Sequence, residues 1–319
     1  MLLIDVMKEK LVSTLLYFDI FSYPLTQEEL LLFAGIPQSQ AAKALQDLEE
    51  LVARCMLNYT RGFYYVGNND SLIDKRIKGN ERARSRMRAA RFHSRIISHF
   101  PFVRAVMLSG SISKGYMGKR DDIDYFIVTK PGRLWIARTL LVLFKKIFLF
   151  NSYRNFCINY FVDEDNLHIH EKNRFTATEI AFLVPVYKKE VHRKMLKANR
   201  WIEQYYPLFS QNGEHPIEKD SLFKRFFELL LDNKLGDRLE GYLLELSQKV
   251  IQKKFDAANN KRFALSFVIK KNELRYLPNR QQLRIMKRFC WKLKVFTKKW
   301  DVQVKTNELE WQTASLQAS

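Results

Sequence analysis

The chain of 319 residues reads as a mixed α/β (α+β) protein in three parts: a helical module closed by a hairpin, a strand-bearing middle, and a helical C-terminal region. Three patterns predict this. Residues 5–67 carry three helical periods and then two β-like runs. Residues 103–129 hold two apolar runs of strand length on either side of a Gly-Ser turn. Beyond residue 173 the apolar positions recur mostly at helical spacing. A hydrophobic content of 47%, with 13% aromatic, marks a globular chain long enough for a sizeable core.

In the first part, Leu11, Leu15 and Phe18 fall at i, i+4 and i+7 of a helix over 8–21. Thr26-Gln-Glu-Glu29 is a capping box opening a second helix that stops at Gly35. Ser39 is placed to cap a third, with Ala41, Leu45, Leu48 and Val52 on one face. The runs 55–59 and 63–66, joined by Thr60-Arg61-Gly62, form a hairpin. This order, over residues 1–70, is that of a winged helix-turn-helix. Such modules read DNA through the third helix, but here that helix exposes Gln38, Gln40, Gln46, Asp47, Glu49 and Glu50, with Lys43 as its one cation. The module is net −4, whereas phosphate contact needs cations. A protein partner or a scaffold role fits it better than DNA.

The rest of the chain is basic: +7 over 71–100, +4 over 101–170 and +13 over 171–319, giving +20 in all. Such a field favours polyanions. After a polar linker at 67–70, a long basic helix over 72–100 sets Arg84, Arg88, Arg91 and Arg95 on one stripe, a solvated face or a phosphate contact. Phe100-Pro101 ends it, and an apolar strand over 103–109 follows. That strand runs into Gly110-Ser111. Twelve residues after Gly110 comes Asp122-Ile-Asp124, inside the second apolar run. Alternate strand residues share a face, so Asp122 and Asp124 are expected side by side. Two such carboxylates repel unless a cation lies between them, and hard oxygen ligands suit Mg²⁺. Gly110 permits close backbone approach, and Ser111 offers a hydroxyl and an N–H to a phosphate oxygen.

Apolar strand, Gly-Ser, a spacer of about a dozen residues and Asp-hydrophobic-Asp: this arrangement resembles the DNA polymerase β nucleotidyltransferase superfamily. It is most similar to the bacterial minimal and kanamycin-type members, in which a basic residue and a Gly follow Gly-Ser, as Lys114 and Gly115 do here. Asp121 stands where the family often has Ser or Thr. The resemblance covers roughly residues 75–170, and implies a small mixed-sheet nucleotidyltransferase core over 71–172, led by the basic helix. It also implies Mg²⁺ (or Mn²⁺) on Asp122 and Asp124, Gly110, Ser111 and Lys114 around the phosphates of an NTP taken as ATP, and NMP transfer to a small molecule, a protein hydroxyl or an RNA end. The family's third carboxylate lies on a neighbouring strand. On the strand expected at 155–162, alternation puts Cys157, Asn159, Phe161 and Asp163 on one face, so Asp163 is the candidate base, with Asn159 the alternative occupant. Without that carboxylate the fold would serve instead as a catalytically weak module for nucleic acid or a partner. Some minimal members act in an antitoxin-like way, by modifying a partner protein.

Residues 134–150 form a helix too short and too charged, at Lys145-Lys146, to span a bilayer. The N-terminus lacks the basic-then-apolar pattern of a signal peptide. Cys55, Cys157 and Cys290 lack metal spacing and read as reduced, buried thiols of a cytoplasmic protein. His168 and His170 alternate on a short strand and read as surface residues. The helical domain at 173–300 has expected helices at 177–206, opened by a Thr176-Ala-Thr-Glu179 capping box, and at 219–233, 236–255 and 280–299. The last interleaves Lys287, Arg288, Lys292, Lys294, Lys298 and Lys299 with Phe289, Trp291, Phe296 and Trp300, so it is either an amphipathic core helix or, like helix 75–95, a nucleic-acid contact. Residues 301–319 read as a flexible tail.

Overall fold

The structure, a computed structural model, describes residues 2–3, 5–150, 154–208, 219–254, 267–276 and 281–304. It is a mixed α+β architecture. β1 (Leu2–Leu3) leads into α1 (Val6–Asp19), which buries Leu11, Leu15 and Phe18. β2 (Leu25–Thr26) precedes α2 (Gln27–Phe33), whose capping box is formed: the Glu29 amide donates to Thr26 at 3.2 Å and the Thr26 amide to Glu29 at 3.1 Å. α3 (Ala41–Ala53) starts one residue after a 3₁₀ turn (Gln38–Gln40). Gln40 takes the cap position, so Ser39 does not cap as expected. β3 (Asn58–Thr60) and β4 (Phe63–Tyr65) make the hairpin, with Arg61 and Gly62 both at positive φ, as the right-handed strand twist favours. β2 joins it to give a small sheet in the order β2-β4-β3. Asp47, expected on the exposed face of α3, is buried and paired with Lys43 at 3.1 Å and Lys8 at 3.7 Å.

α4 (Ser71–Ser98) follows. Ala83, Ala90 and Ile97 recur at seven-residue spacing on its buried face, while Arg84, Arg88, Arg91 and Arg95 are exposed on the other side. β5 (Val103–Ser109) leads into a single helical turn, α5 (Gly110–Ser113), then β6 (Asp124–Thr129), α6 (Leu134–Phe148) and β7 (Cys157–Asp163). α7 (Arg174–Ala181), β8 (Val184–Tyr187) and α8 (Lys189–Ala198) come next, then α9 (Leu222–Leu231), α10 (Lys234–Lys254), β9 (Phe267–Ile269), β10 (Glu273–Tyr276), α11 (Gln281–Trp300) and β11 (Val302–Gln303).

Six strands build the main sheet in the order β8-β5-β6-β7-β10-β9. The β6–β7 pair, joined through α6, is parallel, and the other neighbours are antiparallel. Alternation along the strands splits the core. Ala105, Met107, Phe126, Val128 and Val162 face α1, α7 and α11, whereas Val106, Leu108, Tyr125, Ile127 and Phe161 face α4, α6 and α10.

Several expectations for the second half are corrected. The helix expected over 177–206 is α7, an edge strand, α8 and a 3₁₀ turn (Arg200–Gln204). Pro185 lies on that edge strand, where its missing N–H is tolerated. The β9–β10 hairpin was not expected at all. Residues 173–300 thus supply three strands to the same sheet as β5–β7, and are not a purely helical region. Residues 167–170 form no strand, although His168 and His170 are exposed. Cys157 and Cys290 are buried, but Cys55 is exposed. Phe289 and Phe296 of α11 are buried, with Tyr17 and Phe289 edge to face at 5.4 Å, so this helix packs these two aromatics into the core while Trp291 stays exposed. β11 pairs in parallel with β1. Residues 305–319, most of the expected tail, lie outside the described residues. No helix among the described residues is long and apolar enough to cross a membrane.

Candidate functional site

β5 and β6 are antiparallel neighbours, and the register sets Ser109 opposite Asp124. Gly110 follows directly with φ +67°, a backbone conformation that L side chains rarely adopt. A Cβ at this position would run into the Asp124 carboxylate. The glycine therefore serves both the turn and the close approach of that carboxylate. Gly110→Ala is expected to destabilise the protein by at least about 1 kcal/mol and to displace Asp124. Thermal unfolding of the variant checks this.

The turn closes around Asp121. The Ser111 hydroxyl and the Gly118 amide both donate to its Oδ2 at 2.8 Å. The Ser111 hydroxyl is thus engaged in holding the 111–121 loop. Lys114 Nζ donates to the Gly110 carbonyl at 3.0 Å and to Glu179 Oε1 at 2.9 Å. The far side of the loop rests on α4: the Met117 amide donates to the Gly79 carbonyl at 3.0 Å, and the Tyr116 ring packs where a side chain at position 79 would lie. That close packing accounts for a glycine inside a long helix.

The strand holding the acidic pair starts at Asp124, so Asp122 lies in the segment before it and the two carboxylates do not stand on one regular strand. They are close enough for the charge of Asp122 to raise the pKa of Asp124. Burial is the larger cause, and together with Glu179 it pushes the Asp124 carboxyl up to about 6 against a hydrogen bond from Cys157. The Cys157 thiol, at the register position beside Asp124, is itself pushed well up by burial and by that carboxylate.

Asp163 is not brought to this site. It pairs with Thr129, five residues along β6 from Asp124, or roughly 17 Å at the usual rise of a strand. A β-bulge also intervenes: Tyr125 pairs with Ile158 but Phe126 with Tyr160. The extra residue reverses the alternation, so Cys157 faces Asp124 while Phe161 packs into the opposite core. The face expected to unite Cys157, Asn159, Phe161 and Asp163 does not exist as one face. Asp163 is buried at the far end of the sheet, and burial raises its carboxyl above the ordinary range. Position 159 falls in the bulge.

Glu179 is the carboxylate that sequence reasoning missed. Thr176-x-x-Glu179 looks like a capping box, but Asn173 caps α7, accepting from the Thr176 amide at 3.0 Å. Glu179 is left free of the cap and reaches the opening beside Lys114. The asparagine three residues before Thr176 was the available signal.

Several of these groups line a cavity of about 500 Å³, but Asp122 is not among its lining residues. Its polar end holds Gly110, Ser111, Lys114, Asp121, Asp124 and Glu179. Phe126 and Tyr160, stacked at 4.4 Å, form part of its floor, and Phe18 and Tyr23 of the N-terminal module close it from above. The module is locked there: the Tyr23 hydroxyl donates to the Lys114 carbonyl at 2.7 Å, and buried Arg76 lies 3.8 Å over the Tyr23 ring and pairs with Glu29.

Among the described residues no group of three or more Asp, Glu, His or Cys side chains converges to form a metal cage. Mg²⁺ commonly takes only one or two protein carboxylates and completes its shell with water and substrate phosphates. A mutually repelling pair, one member of it desolvated, fits that requirement. No family model, no curated protein and no solved structure matches the chain.

Proposed function

We propose that the cavity binds a nucleoside triphosphate, taken as ATP, and that the protein transfers its NMP to an acceptor hydroxyl, with pyrophosphate leaving. The observation that supports this most is the Gly110–Asp124 closure: a positive-φ glycine pressed against a buried carboxylate, at the junction of two antiparallel strands. Asp124 and Asp122 would hold Mg²⁺ (or Mn²⁺), which when bound offsets charge developing on the phosphates. Gly110 keeps the chain thin where the triphosphate must approach Asp124. Lys114 would turn from Glu179 to a phosphate oxygen. The acceptor oxygen would then form a bond to the α-phosphorus as the bond to the bridging oxygen breaks, and its proton would pass to Glu179, in the place first assigned to Asp163. The Phe126–Tyr160 floor and the Phe18 and Tyr23 roof would give the bound nucleotide aromatic surface to pack on.

Glu179→Gln separates these roles. Nucleotide affinity is expected to stay the same or to tighten, because Lys114 loses its carboxylate partner. Transfer is expected to fall by about 10²–10⁴, the usual worth of a general base. Equilibrium binding and single-turnover transfer measured on the same preparation check both. The function itself is tested by incubating the protein with Mg²⁺ and each NTP labelled at the α-phosphorus, with and without cell extract, beside Asp122→Ala/Asp124→Ala. Label entering protein, RNA or a small product with the wild type alone supports transfer and reveals the acceptor class, and no label with any NTP counts against it. A second reading, a weakly catalytic fold that binds nucleic acid, is favoured by the exposed Arg84, Arg88, Arg91 and Arg95 row. It requires an RNA or DNA affinity that falls steeply with salt.

A further inference from the structure

In the α9–α10 hairpin, α9 is built with its polar side inward, whereas α10 packs Leu239, Leu243, Leu244 and Ile251 against the body of the protein. On α9, Leu222, Phe223, Phe226, Leu229 and Leu230 stand at i, i+1, i+4, i+7 and i+8, one continuous face, and are 81, 59, 63, 83 and 56% exposed. The opposite face is docked by charge. Lys224 is buried between Asp220 at 2.9 Å and the Tyr187 hydroxyl at 2.7 Å. Glu228 accepts from the Phe102 amide at 2.6 Å and from Arg104 at 2.8 Å. Burying the charges and exposing the leucines inverts the ordinary arrangement, and a soluble monomer rarely keeps so large a contiguous apolar face without use.

The charges of the hairpin show what would cover it. Its carboxylates are consumed by the body of the protein: Asp220 by the Tyr187 hydroxyl and Lys188, Glu228 by Arg104, Asp232 by Lys130, Asp237 by Arg133, and buried Glu240 by the Trp135 and Ile136 amides at the start of α6. The cations Arg225, Lys234, Arg238, Lys249 and Lys253 are exposed, and Glu245 is the one acidic side chain of the hairpin, among the described residues, left without such a role. The surface is therefore apolar and cationic together. A second copy would bring the same cations and a like net charge of +20 against it. An anionic bilayer surface meets both features, taking the leucines and phenylalanines into its interface and the cations to its headgroups. We propose that α9, flanked by the basic residues of the hairpin, is a peripheral docking surface for anionic membrane lipid, with no helix among the described residues crossing the bilayer.

The 319-residue chain is sedimented with phosphatidylcholine vesicles and with vesicles in which about one lipid in three is phosphatidylglycerol. Association at least about tenfold stronger with the anionic vesicles, weakening as salt rises, is expected. Phe226→Glu/Leu229→Glu is expected to reduce it by about tenfold or more, with thermal unfolding unchanged because both side chains lie mostly outside the core. Arg225→Gln/Arg238→Gln is expected to weaken the salt dependence. Three results would each overturn the proposal: equal or no association with the two vesicle types, full association retained by Phe226→Glu/Leu229→Glu, or a dimer in light scattering that this variant dissociates.

Discussion

Arg76→Ala is expected to lower the stability of the protein by about 3–5 kcal/mol, the usual cost of breaking a buried ion pair from one side. Arg76 is 1% exposed. Its guanidinium pairs with Glu29, bonds Asn80, donates to the Pro24 carbonyl at 3.2 Å and covers the Tyr23 ring. Glu29 meanwhile caps α2 with Thr26. One side chain thus joins α4 to the second helix of the N-terminal module and to the aromatic roof of the cavity. The loss extends past stability: Tyr23 is the module's hydrogen bond to the 111–121 loop at the cavity, through the Lys114 carbonyl. Denaturant unfolding measures the first effect. Arg76→Lys keeps the charge but loses the planar fork, and is expected to recover only part of it. A module that served only as a separate DNA reader would leave the cavity unaffected by either change.

Asp124→Asn is expected to abolish Mg²⁺-dependent nucleotide binding, a fall of at least about a hundredfold, while making the protein more stable. The sign follows from the raised carboxyl. Its folded value of about 6 lies above its unfolded value of 3.8, so ionisation opposes folding. There is no penalty below pH 3.8. It grows as the pH rises toward about 6, and is complete above that. Asparagine carries no charge, so its advantage opens over the same interval and reaches about 1–2 kcal/mol, a value reduced for the water that still reaches the side chain. Unfolding midpoints of the two proteins should therefore converge near pH 4 and separate by pH 7. The wild type should bind nucleotide more tightly as the pH rises through about 6, because the ionised carboxylate is the form that holds the cation. A site whose main job is stability would show the reverse response to this substitution.

What could be read in the sequence was what local chemistry determines. The Thr26–Glu29 capping box, the strand Val103–Ser109 and the turn at Arg61-Gly62 all depend on neighbours in the chain, and all formed where the residues placed them. Gly110 was legible for the same reason: its backbone freedom is a property of the residue itself. The errors came from long-range effects. Asp163 was lost to strand pairing, which sets it opposite Thr129 at the far end of β6, and a bulge also turns it to the other face from Cys157. Glu179 was hidden by a local pattern that Asn173 overrode. Asp47 was placed on a solvated face because Lys8, which buries it, comes from another helix. The short strands β8, β9 and β10 owe their existence to the sheet edges they complete, and Val184-Pro-Val-Tyr or Glu273-Leu-Arg-Tyr carries little strand signal alone.

The central claim is that Asp124, pressed against Gly110, holds the cation of a bound nucleoside triphosphate. Calorimetric titration of ATP into the wild type and into Asp124→Asn, each with Mg²⁺ and with chelator, at about pH 7.5 where the carboxylate is ionised, tests it most directly. The expected result is binding by the wild type that requires Mg²⁺, and none by Asp124→Asn, whose fold is intact and more resistant to unfolding. Binding of equal strength by both proteins, or binding indifferent to the metal, would contradict the claim.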